Sequence, residues 1–186
     1  MNIRELNDSL ERCPIIAAIN EHNWKAALSS PVEILFYLKA NINTLPEKIK
    51  EAHENGKIIF VHIDLAEGLA KDKAGLEYLS KLGCDGVLTT RSQTIRHARD
   101  IGLLSVQRCF ALDSQGTACI NDLLEVSSPD TLEIMPGVIG KVIERFSGGK
   151  TPVIAGGLIE TKEEVTTALS HGAAAVSTGK QELWYI

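Results

Sequence analysis

No stretch of this chain approaches the ~20 consecutive apolar residues that a membrane-spanning helix needs. Its opening, Met-Asn-Ile-Arg-Glu-Leu, is polar and amphipathic where a signal peptide would be apolar. No membrane partner is therefore expected, and a cytoplasmic location is. Cysteine is sparse: Cys13, Cys84, Cys109 and Cys119 never fall into Cys-x-x-Cys spacing. That argues against a disulfide framework and reads as reduced thiols, most of them in apolar surroundings. No Gly-x-Gly-x-x-Gly follows the first apolar run, so nothing favours a dinucleotide fold. Basic residues are outnumbered, 19 Lys and Arg against 24 Asp and Glu, for a formal charge of −5. A surface that is basic overall is excluded, and any nucleic-acid contact needs a local patch. No dense His/Cys cluster supports a metal; His62-x-Asp64 with Glu133 makes at best a two-plus-one set. Neither a metal nor a cofactor is expected.

What the chain does hold is an alternation. At 186 residues, 44% hydrophobic and 23% charged, it has material for one good core and is short for two, so residues 1–186 read as a single domain. Apolar runs of strand type fall at 15–19, 32–37, 57–63, 86–89, 103–107, 131–135, 152–155 and 173–176. Helical patterns separate them, at 24–28, 43–54, 74–82, 92–101, from Asp113 or Ser114 to about 126, and at 138–146. One more helix follows a capping box of Thr161 and Glu164 and stops at Gly172. A lead-in helix at 2–12 puts Ile3, Leu6 and Leu10 on one stripe. Eight β–α units imply right-handed crossovers and a parallel sheet. The fold class expected is α/β, a compact (β/α)8 TIM-type barrel whose connections must be short, because the fold usually takes about 250 residues. An open doubly wound sheet is the runner-up and leaves its edge strands unexplained.

In such a barrel the functional groups sit at the C-terminal ends of the strands. The last two runs end in small residues, Ala155-Gly156-Gly157 and Ser177-Thr178-Gly179, ahead of a short helix at 180–184. Small residues let backbone N–H groups approach an anion closely, which is the barrel's phosphate site; as plain turns they need no ligand. Opposite them the mouth collects His62 and Asp64, two apart and so on one face, with Arg91, Gln107, Arg108 and Glu133. Gly137 permits a tight turn there. This inventory suits a polyol phosphate: N–H groups and Arg for the phosphate, carboxylates and an amide for hydroxyls. Each residue also has a plainer reading. His62 and Asp64 can form an internal pair, Arg91 can be solvated or neutralise Glu133, and Asp113 can simply cap a helix. Several polar strand ends on one rim favour a ligand site.

Arg91, Arg96, His97 and Arg99 lie on or just before one helix, with Lys71 and Lys73 following the preceding strand. They form a solvated surface or the one basic zone fit for an RNA backbone. No nucleophile is paired with an activating base and no lysine sits at a strand end in the mouth, so no catalytic residue is assigned. Asp64 or Glu133 as a general base would make a small phosphosugar isomerase, epimerase or aldolase the alternative.

Several segments together carry a resemblance. They are 57–65 (Lys-Ile-Ile-Phe-Val-His-Ile-Asp-Leu) with Glu67-Gly68-Leu69, 86–92, 107–114, Glu133-Ile-Met-Pro-Gly137, Ala155-Gly156-Gly157, and Ser177-Thr178-Gly179 with Leu183-Trp184. In this order, from about residue 14 to the C-terminus, they resemble the glycerol-3-phosphate-responsive antiterminator family of bacteria. The resemblance implies a barrel that binds glycerol 3-phosphate and, when loaded, acts on the leader mRNA of glycerol-use genes to prevent premature termination. It implies phosphate contacts at Gly156, Gly157, Ser177, Thr178 and Gly179, and mouth contacts at His62, Asp64, Arg91, Gln107, Arg108 and Glu133. A homo-oligomer stays open.

Overall fold

A computed structural model describes all 186 residues. Eight strands form one closed parallel barrel in chain order: β1 (Ile15–Ile19), β2 (Ile34–Tyr37), β3 (Ile58–His62), β4 (Gly86–Thr89), β5 (Leu104–Phe110), β6 (Thr131–Met135), β7 (Val153–Gly156) and β8 (Ala175–Thr178). Helices α2 (Trp24–Ser29), α3 (Leu45–Glu54), α4 (Lys73–Lys81), α5 (Ser92–Asp100), α6 (Ser114–Ser127), α7 (Gly140–Ser147) and α8 (Lys162–Ser170) cover its outside, and α1 (Ile3–Arg12) precedes β1. Closure is made by β1 against β8, with Ile15 beside Val176 and Ala17 beside Thr178. That pairing removes the edges an open sheet would expose, and the doubly wound alternative falls with it.

Strand parity divides the apolar residues into two regions. One face of each strand, with the helices, builds an outer shell of 40 buried residues. The other face fills the barrel with 11, among them Ile16, Ile34, Phe36, Phe60, Leu88, Val106 and Ile154. Leu6 and Leu10 of α1 belong to this inner group, so the lead-in helix plugs the barrel at its N-terminal end. Its stripe forms because Asn2 and Glu5 close a capping box at the first turn. Each of these leucines contributes about 1.5–3 kcal/mol by leaving water.

Three boundaries differ from the sequence reading in ways that matter for the site. β5 continues three residues past Gln107, so Arg108 is a strand residue rather than the start of a loop. β3 stops at His62 and passes into a 3₁₀ turn over Ile63–Leu65. β8 runs Ala175–Thr178, two residues later than its apolar run suggested. The capping box of Thr161 and Glu164 forms as expected, and the short closing helix is a 3₁₀ turn over Gln181–Tyr185.

Candidate functional site

Above the apolar filling, the inward positions turn polar on one side of the barrel. The register sets Arg108 of β5 directly beside Glu133 of β6, and Gly156 of β7 beside Ser177 of β8. Glu133 is fully buried. One carboxylate oxygen accepts from Arg108 Nε at 2.6 Å and the other from Ser177 Oγ at 2.6 Å. A carboxylate so deep in the chain needs both partners, since an unpaired buried charge is costly. Gly156 provides the room: a Cβ there would overlap the Glu133 carboxylate and stand 2.7 Å from Ser177 Oγ.

A cavity of about 560 Å³ opens over this pair. Arg108 enters its wall bonded only through Nε, which leaves both Nη groups free. The loop after β7 supplies Gly157, Leu158 and Ile159, and the loop after β8 supplies Gly179. None of these four backbone N–H groups has a partner within the chain. Gly157 and Leu158 sit in the left-handed region at φ of 73° and 60°. For a leucine that conformation is costly, and Leu158 is also mostly exposed; packing does not account for it. At Gly157 the positive φ itself favours glycine, since the near neighbour of an added Cβ, Met135 Cε at 2.6 Å, is the movable end of a flexible side chain. Free amides on two loops and a free guanidinium end, all on residues lining one cavity, supply donors complementary to an oxyanion.

Asn20 and Asn23, in the turn after β1, also line the cavity. Their side-chain oxygens accept from the amides of His22 and Asn20 at 2.9 and 2.8 Å, so their NH₂ groups remain available to hydroxyls. Sequence reasoning missed both, although a polar residue at the tip of the first strand is the same signal that singled out the other strand ends. Lys180 and Glu160 pair across the rim at 3.5 Å.

The sequence-selected residues do not all meet here. Gly157, Ser177, Thr178, Gly179, Arg108 and Glu133 line the cavity. The Thr178 hydroxyl is committed, donating to Ile159 O at 2.8 Å, so within the loop it fixes the β7 turn. Gly156 lies under the wall. Gly137 lies outside the lining and donates its amide to Gly156 O and Gly157 O; it binds the β6 loop to the β7 loop. Gln107 faces away from Arg108, as neighbours in a strand must, and donates to Thr90 O at 2.8 Å. Asp64 is likewise outside the mouth, because the 3₁₀ turn breaks the two-residue period that would have set it beside His62. It accepts from the Thr89 hydroxyl at 3.0 Å and from the Thr90 amide and hydroxyl at 2.7 and 3.0 Å. Burial pushes its pKa up, but these three bonds outweigh burial and bring it below the ordinary value. Arg91 approaches Asp64, not Glu133, with Nε 3.5 Å from Oδ1.

His62 is 3% exposed and neither ring nitrogen has a partner. Burial above all, then the charge of Arg108, lowers its pKa to about 4, so the ring is neutral at pH 7. Two residues on from the inward-facing Phe60, it shares that face of β3 and does not line the cavity. Of the basic residues, Lys73 pairs with Glu77 at 3.9 Å. Arg96 and Arg99 are exposed on α5, and Lys71 lies with Arg91 in a separate groove.

Fold and site together define a (β/α)8 barrel whose polar cavity opens at the C-terminal mouth, between its first strand and its last. The chain belongs to the family described as Glycerol-3-phosphate responsive antiterminator, which matches residues 15–184. It is similar to the glycerol uptake operon antiterminator regulatory protein of Listeria monocytogenes, at 34% identity, a TM-score of 0.85, and coverage of 91% of this chain and 94% of that one. A glycerol uptake operon antiterminator-related protein of Thermotoga maritima matches at 31% identity and a TM-score of 0.84, over 92% of this chain and 98% of that one. The uncharacterized protein YgcP of Escherichia coli K12 is 31% identical over 181 residues, 94% of this chain and 93% of its own. The family read from the ordered segments is thus the one to which the chain belongs, and that family is a regulatory one.

Proposed function

We propose that the protein senses glycerol 3-phosphate and, when loaded, binds leader mRNA to promote antitermination of glycerol-metabolism genes. The observation that carries the ligand half is the open end of Arg108, held by its Nε on Glu133, together with four partnerless amides on residues that line the same cavity. The phosphate takes the amides of Gly157, Leu158, Ile159 and Gly179 together with Arg108 Nη. The glycerol hydroxyls take Asn20, Asn23 and the remaining lone pairs of Glu133. Ser177 acts by holding Glu133, and Gly156 by leaving it space. Asp64, Gln107 and Gly137, committed elsewhere, support loops rather than touch the ligand. No cofactor takes part. Lys71, Lys73, Arg96 and Arg99 provide the basic face for RNA, and loading must favour one arrangement over another, since equal affinity for both shifts nothing.

Calorimetry and thermal unfolding with glycerol 3-phosphate, inorganic phosphate and glycerol test the ligand half. Glycerol 3-phosphate should stabilise well beyond either fragment, by about 2.7 kcal/mol at a hundred times its Kd; equal effects of phosphate and glycerol 3-phosphate refute it. Solvent-deuterium exchange into triose and pentose phosphates should be nil in a sensor, and its detection would move the reading to an isomerase or aldolase.

A further inference from the structure

We infer a second phosphate-reading site outside the mouth, in the groove between the start of α4 and the start of α5, whose occupant is a backbone phosphate of single-stranded RNA. The inference rests on the RNA-binding part of the reading above and gives it a location. The groove measures about 420 Å³ and no apolar side chain lines it; Lys71, Asp72, Arg91, Ser92, Thr94 and His97 form most of its wall. No Phe, Tyr or Trp lines it and its wall is mostly cations and hydrogen-bond donors, so the contact is chiefly to the backbone and largely indifferent to sequence.

Four features prepare it for an oxyanion. Arg91 is drawn towards Asp64 by an ion pair, Nε 3.5 Å from Oδ1, Asp64 being itself fixed by Thr89 and Thr90, and its Nη groups have no partner. The nine-residue helix α5 begins with no side-chain cap and no acidic residue in its first turn, so orphan N–H groups and the positive end of its dipole are left unanswered. Thr94, in that turn, is only 4% exposed yet its hydroxyl makes no hydrogen bond within the chain, and it lines the groove. Lys71 has no ion-pair partner, and the one carboxylate in the wall, Asp72, is occupied in capping Gly75 N at 3.1 Å. Arg96 and Arg99 extend the positive charge along the exposed face of α5. None of the groove residues lines the mouth cavity, so RNA and glycerol 3-phosphate can be held at once.

The test uses the full chain saturated with glycerol 3-phosphate. Fluorescence anisotropy is measured with the leader transcript and with an unrelated single-stranded RNA, between 50 and 200 mM salt. For Lys71→Gln/Arg91→Gln we expect about a tenfold or larger loss of affinity for both RNAs. The salt slope should fall by about 0.7, the value for one phosphate contact on a single strand. Thr94→Val should lose a few-fold. The Kd for glycerol 3-phosphate, measured by calorimetry, should be unchanged in every variant, which also certifies folding. A control of equal charge loss, Lys25→Gln/Lys150→Gln, should change RNA affinity less than about twofold. Unchanged affinity and slope in the double variant overturn the groove and leave RNA binding standing. If the parent protein binds neither RNA, the groove and the RNA reading fall together.

Discussion

Replacing Arg108 separates what the buried ion pair does for stability from what it does for the ligand. Arg108 is 10% exposed and Glu133 not at all. Arg108→Met therefore leaves a fully buried carboxylate whose remaining partner is Ser177, a loss of about 3–5 kcal/mol. At this chain length that lowers Tm by roughly 6–20 °C. Removing the charge as well, in Arg108→Met/Glu133→Leu, takes away the group that suffers, and stability should return to within about 1–2 kcal/mol of the parent. Ligand response should not return. Glycerol 3-phosphate at a hundred times the parent Kd stabilises the parent by about 2.7 kcal/mol, roughly 5–11 °C on the same scale; both variants should shift by less than about 1 °C. Scanning fluorimetry with and without ligand reads all of these. If the double variant melts as early as the single one, the pair is not the isolated buried unit described. If it keeps the ligand shift, the open end of Arg108 does not face the phosphate.

The His62 ring, held down to a pKa of about 4 by burial, stays neutral while an unfolded chain takes up a proton near pH 6.5. Stability is whole above pH 6.5 and falls as pH drops towards 4; between pH 7.5 and 5 urea unfolding should show the parent losing about 2 kcal/mol more than His62→Leu. Gly156→Ala puts a methyl into the Glu133 carboxylate and should cost about 1–3 kcal/mol while weakening glycerol 3-phosphate binding; a stable, tightly binding variant would show that the pair tolerates displacement. Leu10→Ala opens the plugged end of the barrel and should cost about 2–5 kcal/mol by urea unfolding, with ligand affinity retained because the mouth is at the other end.

The barrel itself was legible because each strand is an apolar run between helical patterns, and closure needs only eight such units. The site was half legible, and parity explains the division. Arg108 ends an apolar run and so looks like the start of a loop; nothing local says that pairing with β6 carries the strand on to Phe110. Without that extension Gln107 and Arg108 are two polar residues at one strand end. With it they face opposite ways, one into the helical layer and one into the cavity. Asp64 shows the converse error: a two-residue period was applied across a boundary where the chain had already entered a 3₁₀ turn. The partnerless amides have no sequence signal beyond small residues, since Leu158 belongs to them and is neither small nor polar.

The two arginines are placed alike. Each turns Nε to a carboxylate that hydroxyl groups hold in turn, Arg108 by a 2.6 Å hydrogen bond to Glu133, which Ser177 also holds, and Arg91 by a 3.5 Å ion pair to Asp64, held by Thr89 and Thr90. For Arg108 the hydrogen bond at Nε fixes the plane of the guanidinium and leaves the outer fork free, so less side-chain freedom is lost when an anion arrives. Burial then decides how strongly each fork acts. Arg108 works at low dielectric over a sealed floor, where a single phosphate is gripped with specificity. Arg91, 55% exposed, works in a salt-screened groove suited to a chain of phosphates held weakly and in series. Between them lies one hydrogen bond, from Gln107, the neighbour of Arg108, to the carbonyl of Thr90, the neighbour of Arg91. Any displacement of the β5 tip on ligand binding would therefore bear directly on the loop that carries Arg91.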